Sequence, residues 1–552
     1  MAGRGDARCR GGARGMSGAR QAADDLALRA DVLVIGGGMA GAWAAEAAAR
    51  EGASVVLVDK GYCGTSGVTA TAGPGHWWAP PDPPEARRRA IAGRQAIAFG
   101  LADPDWMEAI IDETFRRLPG LGRHYRFTPD DRGIVNYRAV RGPEYMRALR
   151  AQALAAGVTI LDHHPAIELV ADGDGAVAGA RGLRRQAGGG RWMVAAGATI
   201  LAAGGTSFLS HLLGARTNTG DGYLMAAEAG AALSGMEFTA AYTIAPRRST
   251  MTRTMSYAFA DYYDGDGRAI DAPFGPDQTL KIARALLRGP VYCSLARLPQ
   301  DVRDRLHTIS PNVPLVFERF GIDPYRDRFE VTLHTDGTIR GIGGVRVATR
   351  DCATTVRGLY VAGDNASRER VAGASSGGGN VNSAWALSSG VWAGRAAAAH
   401  ARRVGAADRG ALRPLGRAGL QPAGGARPLD LPALARTVKD AMHPYDRNLF
   451  RSAHGLIAAR TALDAAWSEL GRHGDGGAEP LRQRELAALI ASARWSVASA
   501  LVRAETRGMH IRADRPALDP GLGHRLLARG LDEVVIAVET AAGPRSQLEP
   551  VS

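Results

Sequence analysis

The sequence is short of cysteine, lysine and aromatic residues, and these shortages narrow what the protein can be. Its 552 residues contain four cysteines, Cys9, Cys63, Cys293 and Cys352, and no two of them form a CxxC pair. We therefore expect no zinc site or iron–sulfur cluster held by this chain, and a reducing, cytoplasmic location. No apolar run approaches the roughly 20 residues that cross a bilayer, so no transmembrane segment is expected.

Positive charge comes almost entirely from arginine, since Lys60, Lys281 and Lys439 are the only lysines behind a formal net charge of +13. The arginines are scattered and are not interleaved with aromatic residues, which make up 6% of the chain. This pattern is typical of a solvated arginine-rich surface and argues against a nucleic-acid partner. The start of the chain, MAGRGDARCRGG, lacks the apolar segment of a signal peptide, and residues 1–30 are predicted to be a disordered tail.

What the chain does have, between residues 31 and 60, is the pattern of a dinucleotide-binding unit. An apolar run at 32–35 precedes Gly36, Gly38 and Gly41 in GxGxxG spacing, and a second apolar run ends at Asp59. The three glycines allow a tight turn, the approach of a pyrophosphate and close packing of helix on strand. A carboxylate after the second strand can accept hydrogen bonds from a ribose.

Later segments favour FAD over NAD as the dinucleotide. The stretch after Lys60, GYCGTSGVTATAGPG, has the small residues that let a backbone follow a flat ligand. Two further apolar runs, ATILAAGG (198–205) and GLYVAGDNAS (358–367), end in glycines. Strand ends that converge from distant regions of the chain suit a long ligand lying across a parallel sheet.

These motifs, with TNTGDGYLMAAEAGAALSGMEF, DGDGRAID and AETRGMHIRADRP, resemble the fumarate reductase/succinate dehydrogenase flavoprotein family. That family includes L-aspartate oxidase and the adenylylsulfate reductase α subunit. The resemblance implies an α/β fold: a Rossmann-like FAD-binding domain built from two separate segments, an inserted α+β capping domain and a C-terminal helical domain. The expected divisions are a tail (1–30), the first FAD-binding segment (31–235), the cap (236–335), the second FAD-binding segment (336–401), a linker (402–429) and the helical domain (430–552).

The resemblance also implies which residues hold the FAD. By motif they are Gly36, Gly38, Gly41, Asp59, Lys60, Ser66, Thr71, Gly73, Ala203, Asp221, Asp364 and Asn380. A helix starting near Asn380 is expected to point its N-terminus at the flavin, where its dipole would stabilise an anionic reduced ring. Several family members attach FAD through a histidine in Ser-His-Thr. Gly67 stands at that position here and carries no nucleophile, so noncovalent FAD is predicted.

The substrate side departs from the family pattern. The stretch MEFTAAYTIAP (236–246) corresponds to a pocket wall, but Tyr242 and Thr243 replace the histidine and proline of the family's His-Pro-Thr. By motif counting, Ser256, Ile339 and Gly377 stand where the family has an arginine, a histidine and a second arginine. Four coordinated departures argue that the substrate is neither fumarate nor succinate.

We therefore predict an oxidoreductase that transfers hydride between flavin N5 and a small anionic substrate. Arg253 and Tyr242 are the candidate catalytic residues for proton transfer. Arg247, Arg248 and His334 are candidate substrate-binding residues, because arginines clamp anions bidentately. It stays open at this point that Arg247 and Arg248 are solvated charges and that His334 is a surface residue.

The sequence leaves two other interpretations of the protein's function open. The chain could be an adenylylsulfate-reductase-like subunit that passes electrons to or from a separate iron–sulfur partner protein, since it carries no cluster ligands of its own. It could also be a tRNA-modifying flavoprotein, although no RNA-binding face is evident.

Overall fold

The structure, a computed structural model, describes residues 25–129, 132–186, 189–249, 255–405, 412–420, 428–473 and 479–539. Its strands are β1 (Leu26–Ile35), β2 (Val55–Val58), β3 (Thr159–Leu161), β4 (Ala166–Ala171), β5 (Val177–Leu183), β6 (Arg191–Leu201), β7 (Leu233–Ser234), β8 (Tyr242–Pro246), β9 (Asp261–Tyr263), β10 (Ala269–Ile270), β11 (Val291–Ser294), β12 (Phe329–Thr335), β13 (Gly344–Val345), β14 (Leu359–Val361), β15 (Arg413–Pro414), β16 (Phe450–Arg451), β17 (Ile511–Arg512), β18 (Leu526–Arg529) and β19 (Val535–Val538).

The α-helices are α1 (Met39–Arg50), α2 (Pro84–Ala96), α3 (Pro104–Arg117), α4 (Gly142–Ala155), α5 (Asp221–Glu228), α6 (Gln278–Leu286), α7 (Gln300–Ile309), α8 (Asn312–Phe320), α9 (Gly337–Arg340), α10 (Glu369–Ala372), α11 (Gly378–Val404), α12 (Leu431–Met442), α13 (Tyr445–Asn448), α14 (Ala453–Arg472) and α15 (Pro480–Val502). Short 3₁₀ segments cover Val68–Thr71, Leu118–Arg123, Met255–Phe259, Gly363–Asn365 and Pro520–Leu522.

The predicted α/β fold is confirmed by an eight-stranded sheet in the order β15-β4-β5-β6-β1-β2-β3, with β14 pairing on β6. Strand β1 runs parallel to β2 and β6, and β14 runs parallel to β6. These central strands are rich in apolar residues because helices cover the sheet. The carboxyl ends of β1, β2, β6 and β14 therefore meet at one edge, where an α/β sheet binds its ligand.

Helices α1 and α11 pack closely against each other beside this edge. A Cβ on Gly390 would lie 2.4 Å from the Ala40 carbonyl oxygen, and one on Gly394 would lie 2.3 Å from that of Ala44. Only glycine permits such an approach of one helix to the backbone of another. This packing fixes the N-terminus of α11 relative to the glycine turn before α1.

A second, antiparallel sheet, β10-β9-β11-β12-β8, lies within the range expected for the cap. Its apolar side chains form a core of their own, around Tyr262, Cys293 and Phe329. Leu449 and Ile511 from the C-terminal region also pack on this core. The C-terminal region therefore contributes to the packing that holds the cap.

The C-terminal region is helical, as expected, but it also contains strands. Strand β18 pairs with both β19 and β7, which joins the region to the rest of the protein in one small sheet. Two further differences concern the expected boundaries: β1 already begins at Leu26, and β15, inside the expected linker, pairs with β4.

Helix α15 is the one described helix that is long and apolar enough to cross a membrane. However, 83% of the most apolar 18-residue segment of this helix is buried inside the protein. Its side chains therefore have the surroundings of a core helix. The arginines Arg484 and Arg494, also on this helix, are buried and hydrogen-bonded to carboxylates.

Candidate active site

A cavity of about 800 Å³ opens along the carboxyl edge of the large sheet and continues beneath the cap. Its walls come from the glycine turn, the loop 59–75, the ends of β6 and β14, the start of α11 and the cap. Ten of the residues predicted to hold the cofactor line it: Gly36, Gly38, Asp59, Lys60, Ser66, Gly73, Ala203, Asp221, Asp364 and Asn380. Gly41 and Thr71 are the two that do not.

The glycine turn has the local geometry that its spacing predicts. Gly36 has φ +110°, and a Cβ on it would lie 2.4 Å from the Ala202 carbonyl oxygen. A Cβ on Gly41 would lie 1.8 Å from the Gly36 carbonyl oxygen, so this residue keeps α1 close to β1. By contrast, no atom lies within 4 Å of the position for a Cβ on Gly38. The turn therefore leaves open space beside Gly38, in the cavity wall.

Asp59 ties the glycine turn to the loop that follows β2. Its carboxylate accepts hydrogen bonds from the backbone N–H of Gly37 (2.5 Å) and of Gly61 (2.7 Å) and from the Ser66 hydroxyl (2.5 Å). A carboxylate has about four lone-pair directions, so it can hold both loops and still accept from a ligand hydroxyl. Asp59 is also buried, which orients it rigidly.

Lys60 and Asp221 meet at the same end of the cavity. The Lys60 Nζ lies 2.9 Å from the Thr219 hydroxyl, 2.7 Å from Asp221 Oδ2 and 2.8 Å from Glu485 Oε1 on α15. Burial lowers the pKa of Lys60, but the two carboxylates outweigh it and leave the pKa above its ordinary value. Lys60 is thus a fixed cation, and Asp221 is an ion-pair partner as well as a first-turn residue of α5.

Asn380 stands in the first turn of α11, and Gly378 and Gly379 beside it also line the cavity. The helix begins at Gly378 and is 27 residues long. Because its first turn lines the cavity, its N-terminal N–H groups and the positive end of its dipole lie at the cavity. The start of α11 therefore lies at the cavity, and that it points at a flavin stays a prediction.

On the cap side, the structure does not bring the predicted substrate residues to the cavity. The Tyr242 hydroxyl donates to the backbone carbonyls of Met442 (3.3 Å) and His443 (3.1 Å) and accepts from the Asn448 amide (3.2 Å). Burial raises the pKa of Tyr242 far above its ordinary value. The side chain thus anchors the cap to the C-terminal region, an arrangement that does not support proton transfer by Tyr242.

The candidate basic residues also lie elsewhere. Arg247 is exposed and pairs with Glu330 at 2.6 Å, Arg248 is exposed at φ +65°, and His334 contacts the Ser249 carbonyl oxygen through Nε2 at 3.0 Å. None of the three lines the cavity. Arg253, the other catalytic candidate, lies outside the described residues.

The residues that do form the cap end of the cavity are different ones. They are Thr243, Ile244, Tyr257, Phe274, Gly275, Gln278, Thr279, Ile339 and Arg340. Ile339 thus stands in the wall at the position counted for a family histidine. The sequence analysis did not identify Arg340 as a site residue. The signal that could have found it is its position, directly after Ile339.

The stretch that begins with Met236 is only partly a pocket wall. Thr243 and Ile244 line the cavity, but Glu237 is fully buried on the other side and accepts a 2.7 Å hydrogen bond from Arg503. Glu237 therefore connects the base of the cap to the C-terminal region and does not face a ligand.

Together, the nucleotide-type sheet edge, the open glycine turn and the covering cap define an FAD-binding oxidoreductase. The FAD binding domain family model matches residues 31–247. L-aspartate oxidase of Mycobacterium tuberculosis H37Rv is 30% identical, with 91% of this chain and 96% of that protein covered. The chain belongs to the fumarate reductase/succinate dehydrogenase flavoprotein family.

Two further comparisons agree with this assignment. A fumarate reductase (CoM/CoB) subunit of Methanothermobacter marburgensis is 26% identical, over 89% of this chain and 95% of that protein. Adenylylsulfate reductase of Archaeoglobus fulgidus has the same fold, with a TM-score of 0.71, 18% identity, and coverage of 96% of this chain and 98% of the other.

The residues of this chain fit FAD. The space beside Gly38 suits a pyrophosphate, Asp59 and the backbone loop 59–75 suit an adenosine ribose, and the α11 N-terminus suits an electron-rich ring. The individual contacts remain predictions that this arrangement supports.

Proposed function

We propose that this chain transfers hydride between FAD and a small anionic substrate other than fumarate or succinate, in the cytoplasm. The observation that carries the proposal is the composition of the cap end of the cavity. Among the described lining residues there is no histidine, and the basic ones are Lys60, at the Asp221 end, and Arg340, beside the cap. Among these described residues, a dicarboxylate buried beneath the cap would find a cationic partner for only one of its carboxylates, which is unfavourable.

FAD, when bound, supplies the hydride acceptor or donor. The chain's own contribution is to hold the substrate against it and exclude water. The cap closes over the sheet edge through Thr243, Gln278 and Thr279, while Phe274, 59% exposed, stands at the rim of the cavity. Fixed positioning of this kind is a large share of what a bimolecular hydride step requires.

The test uses the flavin as its own indicator. The purified holoprotein is reduced with dithionite under anaerobic conditions, mixed with fumarate, and followed at the oxidised-flavin absorption band. We expect reoxidation no faster than for free reduced FAD at the same concentration. L-aspartate and succinate, added to the oxidised protein, are expected to leave the flavin oxidised. Turnover-rate oxidation by fumarate, or reduction by succinate, would contradict the proposal. Reduction by L-aspartate would contradict only the argument from an unpaired second carboxylate.

A second candidate function is electron exchange with a separate iron–sulfur protein. It is favoured by the fold shared with adenylylsulfate reductase and by the described residues themselves, which include no group of three or more His, Cys, Asp or Glu arranged for a metal. The free cysteines of the described chain, Cys63, Cys293 and Cys352, are buried. Electrons would then reach FAD from a partner or a diffusible carrier, and a co-purifying iron–sulfur chain would favour this candidate.

The mode of FAD attachment gives a simple prediction. Gly67 lines the cavity at φ +75° and has no side chain that could bond to the flavin. We expect acid precipitation to release all the flavin into the supernatant, measured by absorbance of both fractions. Flavin that stays with the pellet after washing would contradict noncovalent binding.

A further inference from the structure

We propose that Arg340 binds the single anionic group of the substrate, and that the cap end of the cavity is built for a monoanion with an uncharged remainder. This inference rests on the proposed function and specifies its substrate class. Arg340 is not one of the four positions at which the sequence was compared with the family's polar substrate-handling residues.

Arg340 is held in place from below by a buried acid. It ends the short helix α9, lines the cavity, and has a side chain that is 32% exposed. Its Nε lies 3.4 Å from Oδ2 of Asp336, which is fully buried. The other oxygen of Asp336 accepts a 3.0 Å hydrogen bond from Thr243, itself a cavity residue. The acid therefore orients the arginine, whose planar group carries five N–H donors in all.

The turn that carries Arg340 is also braced. Arg368, 1% exposed, donates to the backbone carbonyls of Thr338 (2.8 Å), Ile339 (2.7 Å) and Gly341 (2.9 Å), and it pairs with Asp364 of the cavity wall. A guanidinium presented from so constrained a backbone loses little freedom when it binds a ligand. Such preorganisation raises affinity and geometric selectivity.

Charge balance then decides how many anionic groups the site accepts. Lys60, the other cation in the described wall, is engaged by Asp221 and Glu485 at the opposite end. Beneath the cap, Arg340 meets a ligand amid uncharged side chains such as Ile244, Thr279 and Ile339. One carboxylate or similar group can pair with the guanidinium bidentately. A second would find no cationic partner among the described residues beneath the cap, so the rest of the substrate should be neutral.

The experiment compares matched ligands on the oxidised holoprotein by flavin difference spectroscopy. Crotonate and fumarate have the same four-carbon alkene with one and two carboxylates, and benzoate and terephthalate form a larger pair. We expect the better-binding monoanion to bind at least ~10-fold more tightly than its dianionic counterpart. Arg340→Gln should weaken it roughly ten- to a hundredfold, because a charged hydrogen-bonded contact is lost. Arg340→Lys should recover some of the loss, since lysine keeps the charge without the planar fork.

Arg247→Gln is the matched control, because Arg247 is a cap arginine that does not line the cavity. It should leave affinity unchanged, and flavin content should be unchanged in all three variants. The inference is overturned if dianions bind as tightly as monoanions, if Arg340→Gln leaves the dissociation constant unaltered, or if neither monoanion perturbs the flavin. If Arg340→Gln has no effect while reduced flavin still ignores fumarate, only this inference fails. Rapid oxidation by fumarate would instead remove the proposed function.

Discussion

Replacing Gly41 with alanine is expected to abolish stoichiometric FAD binding and to lower the thermal stability of the protein. The added Cβ would lie 1.8 Å from the Gly36 carbonyl oxygen and 2.9 Å from its carbonyl carbon. Both are backbone atoms of the turn between β1 and α1, so no flexible side chain can move aside. Relief requires the helix to move away from the strand, and overpacking of this kind typically costs about 1–3 kcal/mol or more. The flavin-to-protein ratio and the unfolding temperature measure the two effects.

A substitution at the neighbouring Gly38 should affect FAD binding without affecting folding. Gly38 has an ordinary φ of −71° and no atom within 4 Å of the Cβ position, so Gly38→Ala should fold as the unsubstituted protein does. Because the added methyl group would project into the cavity, FAD affinity should still fall. Gly93→Ala, on α2 with open space around its Cβ, is the control: it should leave flavin content unchanged and raise stability by about 1 kcal/mol, because alanine is the better helix former. A Gly41→Ala protein that retains normal flavin content would refute this account of the turn.

The nucleotide side of the site could be predicted from sequence because its determinants are local. Gly36, Gly38 and Asp59 lie within 24 residues of one another along the chain, and a strand–turn–helix–strand unit fixes their relative placement. Strand ends from β6 and β14 then follow from the rule that parallel strands deliver their carboxyl ends to one edge. Whether each residue contacts FAD is still a prediction.

The cap side could not be predicted in the same way, because its determinants are distant in sequence. Tyr242 is turned away from the cavity by carbonyls about 200 residues further along the chain, at the end of α12. Arg247 is drawn to Glu330 because β8 pairs with β12, a register that no local motif specifies. Counting residues from a family motif located the stretch 236–246 as a pocket wall, but it did not show which side chains of that stretch face the cavity.

Arg340 could not be predicted as a site residue from the sequence. The family motif places a histidine at the position of Ile339, and its absence drew attention to that position. The motif gives no reason to assign a role to the adjacent Arg340. The side chain becomes informative only when Asp336 beneath it and Arg368 behind the turn are known. Both contacts depend on the fold and not on the spacing of a motif.

The second large effect is expected from Arg503→Met, which should destabilise the protein by about 3–5 kcal/mol, the usual result of removing one member of a buried ion pair. Arg503 is 1% exposed and lies at the end of α15. It donates to Glu237 at 2.7 Å and Glu505 at 3.1 Å, and to the carbonyls of Leu522 and His524. Without it, the buried carboxylate of Glu237 at the base of the cap loses its cationic partner. Denaturant unfolding at fixed pH measures the loss.

The pH dependence of this loss distinguishes an electrostatic cause from lost packing. Burial, and then the nearby charge of Glu237, raise the pKa of Glu369 to about 8. A carboxyl group with a raised pKa in the folded state stabilises it at low pH and loses that contribution as pH rises from about 4.5 towards 8. Arg503 is among the positive charges that lower the pKa of Glu369, so without it this pKa should rise further. The loss of stability with rising pH should therefore continue to higher pH in the variant, and its deficit relative to the unsubstituted protein should shrink as pH falls below about 8. Arg305→Met, in an exposed pair with Asp301, is the matched control and should change stability by less than about 0.5 kcal/mol. If Arg503→Met were no more destabilising than this control, the carboxylates would not depend on Arg503, and the attachment of the cap would have to rest on Tyr242 and the apolar contacts around Leu449 instead.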